Sequence, residues 1–247
     1  MVHRGRIAHD GGMTVTRGVL FDFSGTLVRS EPAESWLRGA LAATGTALDE
    51  SAVRDTAAAL ERAGALPGGA VPEAVPPELA APWAERDHDP RRHREVYTAL
   101  ARRVPLPSAV LPEALYARHM RPEAWWPYPD AVEVLAELRG RGLRSGLVSN
   151  IGWDLRPVLR AHGLAPYLDC TVLSYEHRTA KPDPRLFTAA CRELGLAPDE
   201  VVMVGDDRRN DGGATAVGCR YLPVDPVPVD RRPDGLRAVL DLVGRAG

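Results

Sequence analysis

Four short apolar runs, each ending in a polar or glycine-led turn, constrain this chain more than any other feature: Gly18–Phe23, Arg144–Ser149, Cys170–Leu173 and Val201–Gly205. Each is rich in Val or Leu and largely uninterrupted, the pattern of strands buried on both faces. A weaker fifth run is Arg220–Val224. Helical patterns separate the later runs. Asp130–Arg141 closes near Gly142, Asp154–His162 ends at Gly163, and Pro184–Leu194 ends at Gly195 with Pro182 and Pro184 at its entrance. Strands alternating with helices require crossovers, so the expected fold class is α/β, a Rossmann-like parallel sheet with helices on both faces.

About a hundred residues separate the first two runs, where a simple crossover takes roughly a dozen or more. Within them Ser35–Thr44, Val53–Ala63 and Arg92–Arg103 read as helices, around an irregular Pro/Gly-rich stretch at Gly64–Ala81. The expectation is a core of residues 13–29 and 127–247, with a smaller α-helical cap of residues 30–126 inserted in it. Open parallel sheets bind ligands at the carboxyl ends of their strands, so a cap placed there would enclose the site. Residues 1–12 are polar and lack a hydrophobic signal core; they read as a disordered tail, which leaves Met1 or Met13 as the start.

The strand ends carry the chemistry. Asp22 follows the first strand, Ser149-Asn150 the second, Lys181 lies in the loop after the third, and Asp206-Asp207 follow the fourth. Alone, each has a bland explanation as a cap, a turn or a solvated loop. In a parallel sheet they meet at one edge, where Asp22 and Asp206 offer the hard oxygens magnesium prefers. Ser149, Asn150 and Lys181 offer donors to an anion. Lys181 is the one lysine in the chain, so any chemistry that needs a lysine must use it. With 31 basic and 33 acidic residues the formal charge is −2, which calls for neither nucleic acid nor an anionic membrane. No run is long and apolar enough to span a bilayer. Three cysteines without a CxxC pair suit a reducing, cytoplasmic setting.

The segment Val19-Leu20-Phe21-Asp22-Phe23-Ser24-Gly25-Thr26-Leu27 resembles the first motif of the haloacid-dehalogenase superfamily. Ser149-Asn150 resembles the second motif, Lys181-Pro182-Asp183-Pro184 the third, and Gly205-Asp206-Asp207 with Asp211 the fourth. The resemblance implies that Asp22 is the nucleophile and that Thr26 positions its loop or the transferred group. It implies that Ser149 and Lys181 hold phosphoryl oxygens. Asp22, the backbone oxygen of Ser24 and Asp206 would bind Mg2+, with Asp207 and Asp211 in support. The expected substrate is a small phosphorylated metabolite, with no nucleic acid or membrane as partner.

One position departs from the family pattern. Phosphatases of this type carry a second Asp two residues after the nucleophile, as acid and then base. Here it is Ser24, whose hydroxyl cannot take that role at neutral pH; such catalysis is typically worth about 10²–10⁴ in rate. Three readings follow: a phosphohydrolase that takes its acid/base from Glu31, Glu176 or His177 or acts on a good leaving group; a carbon-centred hydrolase resembling 2-haloacid dehalogenases; or a non-catalytic phosphate- or partner-binding module. The glycines at Gly212, Gly213 and Gly218 follow an Asp-rich loop and not the first strand, which argues against a dinucleotide site. His88 and His93 lack zinc-ligand spacing and read as surface residues, and Trp36, Trp83, Trp125 and Trp126 as packing.

Overall fold

The computed structural model describes residues 15–244; the expected tail at 1–12 and the choice between Met1 and Met13 lie outside the described residues. The strands are β1 (Gly18–Phe21), β2 (Val28–Ser30), β3 (Trp125–Pro127), β4 (Arg144–Ser149), β5 (Cys170–Leu173), β6 (Val201–Gly205) and β7 (Arg220–Pro223). Five of them form a parallel sheet in the order β5-β4-β1-β6-β7. The α/β expectation therefore holds, with β1 in the centre and its carboxyl end flanked by those of β4 and β6.

Ten α-helices are described: α1 (Ala33–Thr44), α2 (Glu50–Arg62), α3 (Ala80–Glu85), α4 (Pro90–Arg102), α5 (Leu111–His119), α6 (Ala131–Gly140), α7 (Arg156–Ala161), α8 (Ser174–His177), α9 (Pro184–Leu194) and α10 (Ala238–Val243). The sheet is dry on both faces because alternate residues of β1 enter different layers. Val19 and Phe21 pack with Val134, Leu135 and Leu138 of α6. Leu20 packs with Leu186, Phe187, Ala190 and Leu194 of α9. Full burial of each such large apolar side chain is worth roughly 1.5–3 kcal/mol. Helix α9 is set locally: Asp183 accepts the Arg185 amide at 2.9 Å, Pro184 opens the first turn, and Gly195 at φ 64° ends it.

Helices α1 to α5 form an insert with an apolar cluster of its own, built on Trp36, Leu37, Leu60, Leu100, Leu111 and Leu115. Trp36 is buried, and its indole N–H donates to the Leu115 carbonyl at 2.8 Å, tying α1 to α5. Chain enters and leaves this insert through β2 and β3, which pair antiparallel in register Val28 with Pro127 and Ser30 with Trp125. Among the described residues, no helix is long and apolar enough to cross a membrane.

Several elements differ from expectation. The first strand stops at Phe21, because Phe23 already accepts turn hydrogen bonds from the Leu27 and Val28 amides at 3.1 and 3.0 Å. The β2–β3 ribbon has three residues a side, too short to show periodicity. Helices α3 and α5 carry Pro82 and Pro112, which disguised them as loop. His93 does not face solvent: it is 3% exposed, its Nδ1 lies 2.9 Å from the Tyr116 hydroxyl, and burial holds its pKa down at about 3. Trp126 is the reverse, 41% exposed where packing was expected.

Candidate active site

Asp22 leaves the central strand with its backbone N–H on the Val204 carbonyl at 2.9 Å, so its side chain stands at the carboxyl edge between β4 and β6. The loop behind it turns tightly at Gly25, with φ 83°. A Cβ there would lie 2.5 Å from an Asp206 carboxylate oxygen, so this glycine serves both the left-handed backbone and the close approach of Asp206.

Lys181 organises the site. Its ammonium donates to Asp22 Oδ1 at 2.6 Å, to Asp211 Oδ1 at 2.6 Å and to the Val148 carbonyl at 2.9 Å. Those three bonds use all its protons. Its backbone is held by Asn150, whose Nδ2 donates to the Lys181 carbonyl at 2.9 Å and whose Oδ1 accepts the Lys181 amide at 2.7 Å. Asn150, expected to touch substrate, therefore spends its amide on the lysine loop. Asp211 is fully buried and has both oxygens engaged, the second accepting the Asp207 backbone N–H at 3.0 Å. The exposed Asp207 carboxylate turns away to cap its own loop, accepting the amides of Arg209 and Asn210 at 2.9 Å each. Thr26 is buried and its hydroxyl points to Asp206 Oδ1 at 3.4 Å.

Carboxylate oxygens of Asp22, Asp206 and Asp211 lie within 4.8 Å of one another. Three acids share one ammonium, and the electrostatics reflect it. Burial pushes the Asp22 carboxyl up to about 7; Lys181 pulls against this, while Asp211 and Asp206 add to it. Burial likewise raises Asp206, with Asp211 adding to it. Lys181 is pushed above its ordinary value, since Asp22 and Asp211 together outweigh the cost of burying its charge. An acidic pocket of this kind favours a hard cation.

Ser149 is buried at the end of β4, in register with Leu173 of β5. Ser24 is half-buried, and the insert reaches it: a Cβ on Gly68 would stand 3.2 Å from the Ser24 hydroxyl. Beside Asp206 opens a groove of about 620 Å³, lined also by Arg208, Arg209 and Asp225.

Of the two carboxylates and one imidazole suggested to replace the missing acid/base, both carboxylates are engaged by arginines. Glu31 is 1% exposed and held by Arg118 at 2.6 and 2.9 Å and by the Ser35 hydroxyl at 2.5 Å. Glu176 is exposed and locked onto Arg156 at 2.8 and 2.9 Å, which holds its carboxyl below the ordinary range. His177 is exposed on α8. A carboxylate that the sequence did not single out, Asp87, lies in the turn before α4, and its backbone carbonyl accepts the Ser174 hydroxyl at 2.5 Å at the end of β5. Its place in an Arg- and Asp-rich run made it look like one solvated charge among many.

Comparison with known proteins agrees with this geometry. A family model described as haloacid dehalogenase-like hydrolase matches residues 16–218. A phosphoserine phosphatase of Thermus thermophilus is 39% identical over 171 residues, which are 67% of this chain and 64% of that protein. An (S)-2-haloacid dehalogenase of a Pseudomonas species is 39% identical over 101 residues, 40% of this chain and 44% of that one. The chain thus spans less than two thirds of the length of these relatives. Among solved structures, an L-2-haloacid dehalogenase of Xanthobacter autotrophicus with chloropropionic acid covalently bound aligns at TM-score 0.59 and 20% identity, over 91% of this chain and 83% of that one, a likeness of fold. With its four strand-end motifs gathered at one sheet edge and a family model spanning most of its length, the chain belongs to the haloacid dehalogenase-like hydrolases.

Proposed function

We propose that this hydrolase cleaves a small phosphate monoester through a phosphoryl group carried on Asp22, with Mg2+ as cofactor. The observation that carries the reading is the Lys181 ammonium held between Asp22 and Asp211, with Asp206 at the same edge. A carboxylate attacks an anionic phosphoryl group only where positive charge offsets the repulsion. Lys181 supplies part of that charge. The remaining acidic excess fits a divalent cation, and carboxylate oxygens that all lie within 4.8 Å of one another suit one ion. Since both Asp211 oxygens are engaged, Asp22, Asp206 and the Ser24 backbone oxygen would hold the ion. When bound, it neutralises charge on nucleophile and phosphoryl group.

The protein's own groups divide the rest. Asp22 attacks phosphorus, the Ser149 hydroxyl holds a phosphoryl oxygen, and Lys181, its three protons engaged, offsets the charge of nucleophile and phosphoryl group. Thr26 orients Asp206. Asn150 positions Lys181, and the Asp207 amide positions Asp211. The helical insert acts as a cap, with Gly68 above Ser24. The test is hydrolysis of para-nitrophenyl phosphate with Mg2+, and mass-spectrometric detection of a phosphoryl group on Asp22. Asp22→Asn should abolish turnover with the fold unchanged. An active Asp22→Asn, with deamidation excluded by mass, would overturn the nucleophile assignment.

A second reading, 2-haloacid dehalogenation, is favoured by Ser24, because halide departs without a proton. It gives no task to Asp206, which a carbon-centred displacement does not need. Release of chloride from 2-chloropropionate in the presence of a chelator, without phosphatase activity, would establish it over the first.

A further inference from the structure

We propose that Asp87, carried by the helical insert, is the proton donor and acceptor that Ser24 cannot be. The inference rests on the phosphohydrolase reading and completes it.

The placement comes from the seam between insert and sheet. The Ser174 hydroxyl, directly after β5, donates to the Asp87 carbonyl at 2.5 Å. The same hydroxyl oxygen accepts the Ile151 amide at 2.8 Å, in the loop that leaves Ser149 and Asn150. Residue 87 is thereby fixed to two strand ends of the catalytic edge. Contact is close enough to be backbone on backbone: a Cβ on Gly152 would overlap the Arg86 carbonyl oxygen. The Asp87 side chain retains 20% exposure, enough for a substrate atom to meet it. Its carboxylate has Arg86 as ion-pair partner at 3.3 Å, its sequence neighbour, while Glu31 and Glu176 are bound bidentately.

The seam is also prepared for a polar ligand. Arg86 Nε and Trp153 Nε1 are buried donors without a hydrogen-bond partner among the described residues. Buried donors are ordinarily paired, so a leaving group with oxygen atoms suits this position. Desolvation raises the Asp87 carboxyl above its ordinary value, against the pull of Arg86, His88 and Lys181. Burial raises the Tyr97 hydroxyl on α4, and the Asp87 charge adds to the rise. Burial moves this carboxyl in the direction a general acid requires, towards holding its proton at higher pH than an exposed aspartate does.

The steps balance. As the Asp22 oxygen bonds to phosphorus and the ester P–O bond breaks, the Asp87 proton passes to the leaving oxygen and an alcohol departs. Water then attacks the phosphoryl group, gives one proton to the Asp87 carboxylate, and the Asp22–phosphorus bond breaks. Phosphate leaves, and both aspartates return to their starting forms.

The experiment measures phenol release in the first turnover, with Mg2+, for phenyl phosphate and 2,4-dinitrophenyl phosphate. Dinitrophenolate departs without a proton; phenolate needs one. Asp87→Asn should slow phenol release by about 10²-fold, leave dinitrophenol release within a few-fold, and remove the alkaline fall in the phosphorylation rate. It should also deepen the burst with dinitrophenyl phosphate, since water attack loses its base. Equal losses on both esters, or none, overturn the proposal. If Asp87→Asn does not fold, Asp87→Glu reads the same question: the alkaline limb should move, and an unmoved limb overturns the proposal. Wild type inactive on both esters would sink the phosphohydrolase reading and this inference together; an active wild type with an unaltered Asp87→Asn sinks this inference alone.

Discussion

Replacing Lys181 by Met removes the ammonium and keeps the chain length, so the consequence can be worked from its three bonds. Asp22 and Asp211, each 2.6 Å from the ammonium, are left facing one another without it. Breaking a buried ion pair by deleting one partner costs about 3–5 kcal/mol. The loss depends on pH, and its sign follows from the proton balance. Asp22 already stands at about 7 in the fold against 3.8 for an ordinary aspartate, and without lysine it rises further. Between those values the folded state binds more protons than the unfolded one, so stability falls as pH rises. At pH 5.5 protonation limits the cost for such a group to about 2 kcal/mol, at 1.36 kcal/mol per pH unit. At pH 8 that relief is gone. Urea titrations without divalent cations should therefore show a midpoint lower by about 2 M at pH 8, for a slope near 2 kcal/mol/M, and by half of that or less at pH 5.5. Added Mg2+ should restore part of the loss at pH 8. A loss under about 1 kcal/mol, or one equal at both pH values, would refute the view that the lysine neutralises two buried acids.

Asp206→Ala should abolish the rise in melting temperature that Mg2+ gives the wild type, because a ligand that binds only the folded state stabilises it; an equal rise in both proteins would place the cation elsewhere. Glu31→Ala should cost about 3 kcal/mol in urea, since it strands Arg118 and the Ser35 hydroxyl at the start of the insert, yet leave the first-turnover rate of folded protein within a few-fold. Gly152→Ala should raise KM more than it lowers kcat, because its methyl group forces the Arg86 carbonyl and the insert away from the sheet; steady-state kinetics with para-nitrophenyl phosphate measures the split.

The sheet edge that gathers the acids and Lys181 was legible because parallel strands advertise themselves as apolar runs and their ends must converge. Asp22, Lys181, Asp206 and Asp211 needed no more than order along the chain, together with a family resemblance. What escaped notice depends on contacts between distant segments. The β2–β3 ribbon pairs Ser30 with Trp125, and no local pattern marks three-residue strands. Asn150 looked like an anion donor; only the loop folded back on it reveals an amide filled by Lys181. His93 sits in an arginine-rich helix whose mean character is polar, and its burial comes from Tyr97, Tyr116 and His119 around it. Asp87 is one of several acids in its run, distinguished only by the sheet edge against which it lies.

Beyond β7 the chain returns to the loop after Asp22. Arg232 donates to the Gly25 carbonyl at 2.6 Å and to the Thr26 carbonyl, and its guanidinium lies over the Tyr128 ring at 3.2 Å. The turn that aims Asp22 is thus braced by a residue 207 positions later. On a ribosome, the first motif emerges 207 residues ahead of its brace. Contacts of such separation form late in folding, after their loop-closure entropy has been met. A nascent chain stopped before Arg232 would carry the sheet, the lysine and the acids, but a slack loop after Asp22. The loop after Asp22 should therefore reach its final geometry only once Arg232 has folded back onto it. Truncation after Val224, assayed for folding by circular dichroism and for turnover, separates the two: retained helix and sheet with retained activity would show the brace to be dispensable.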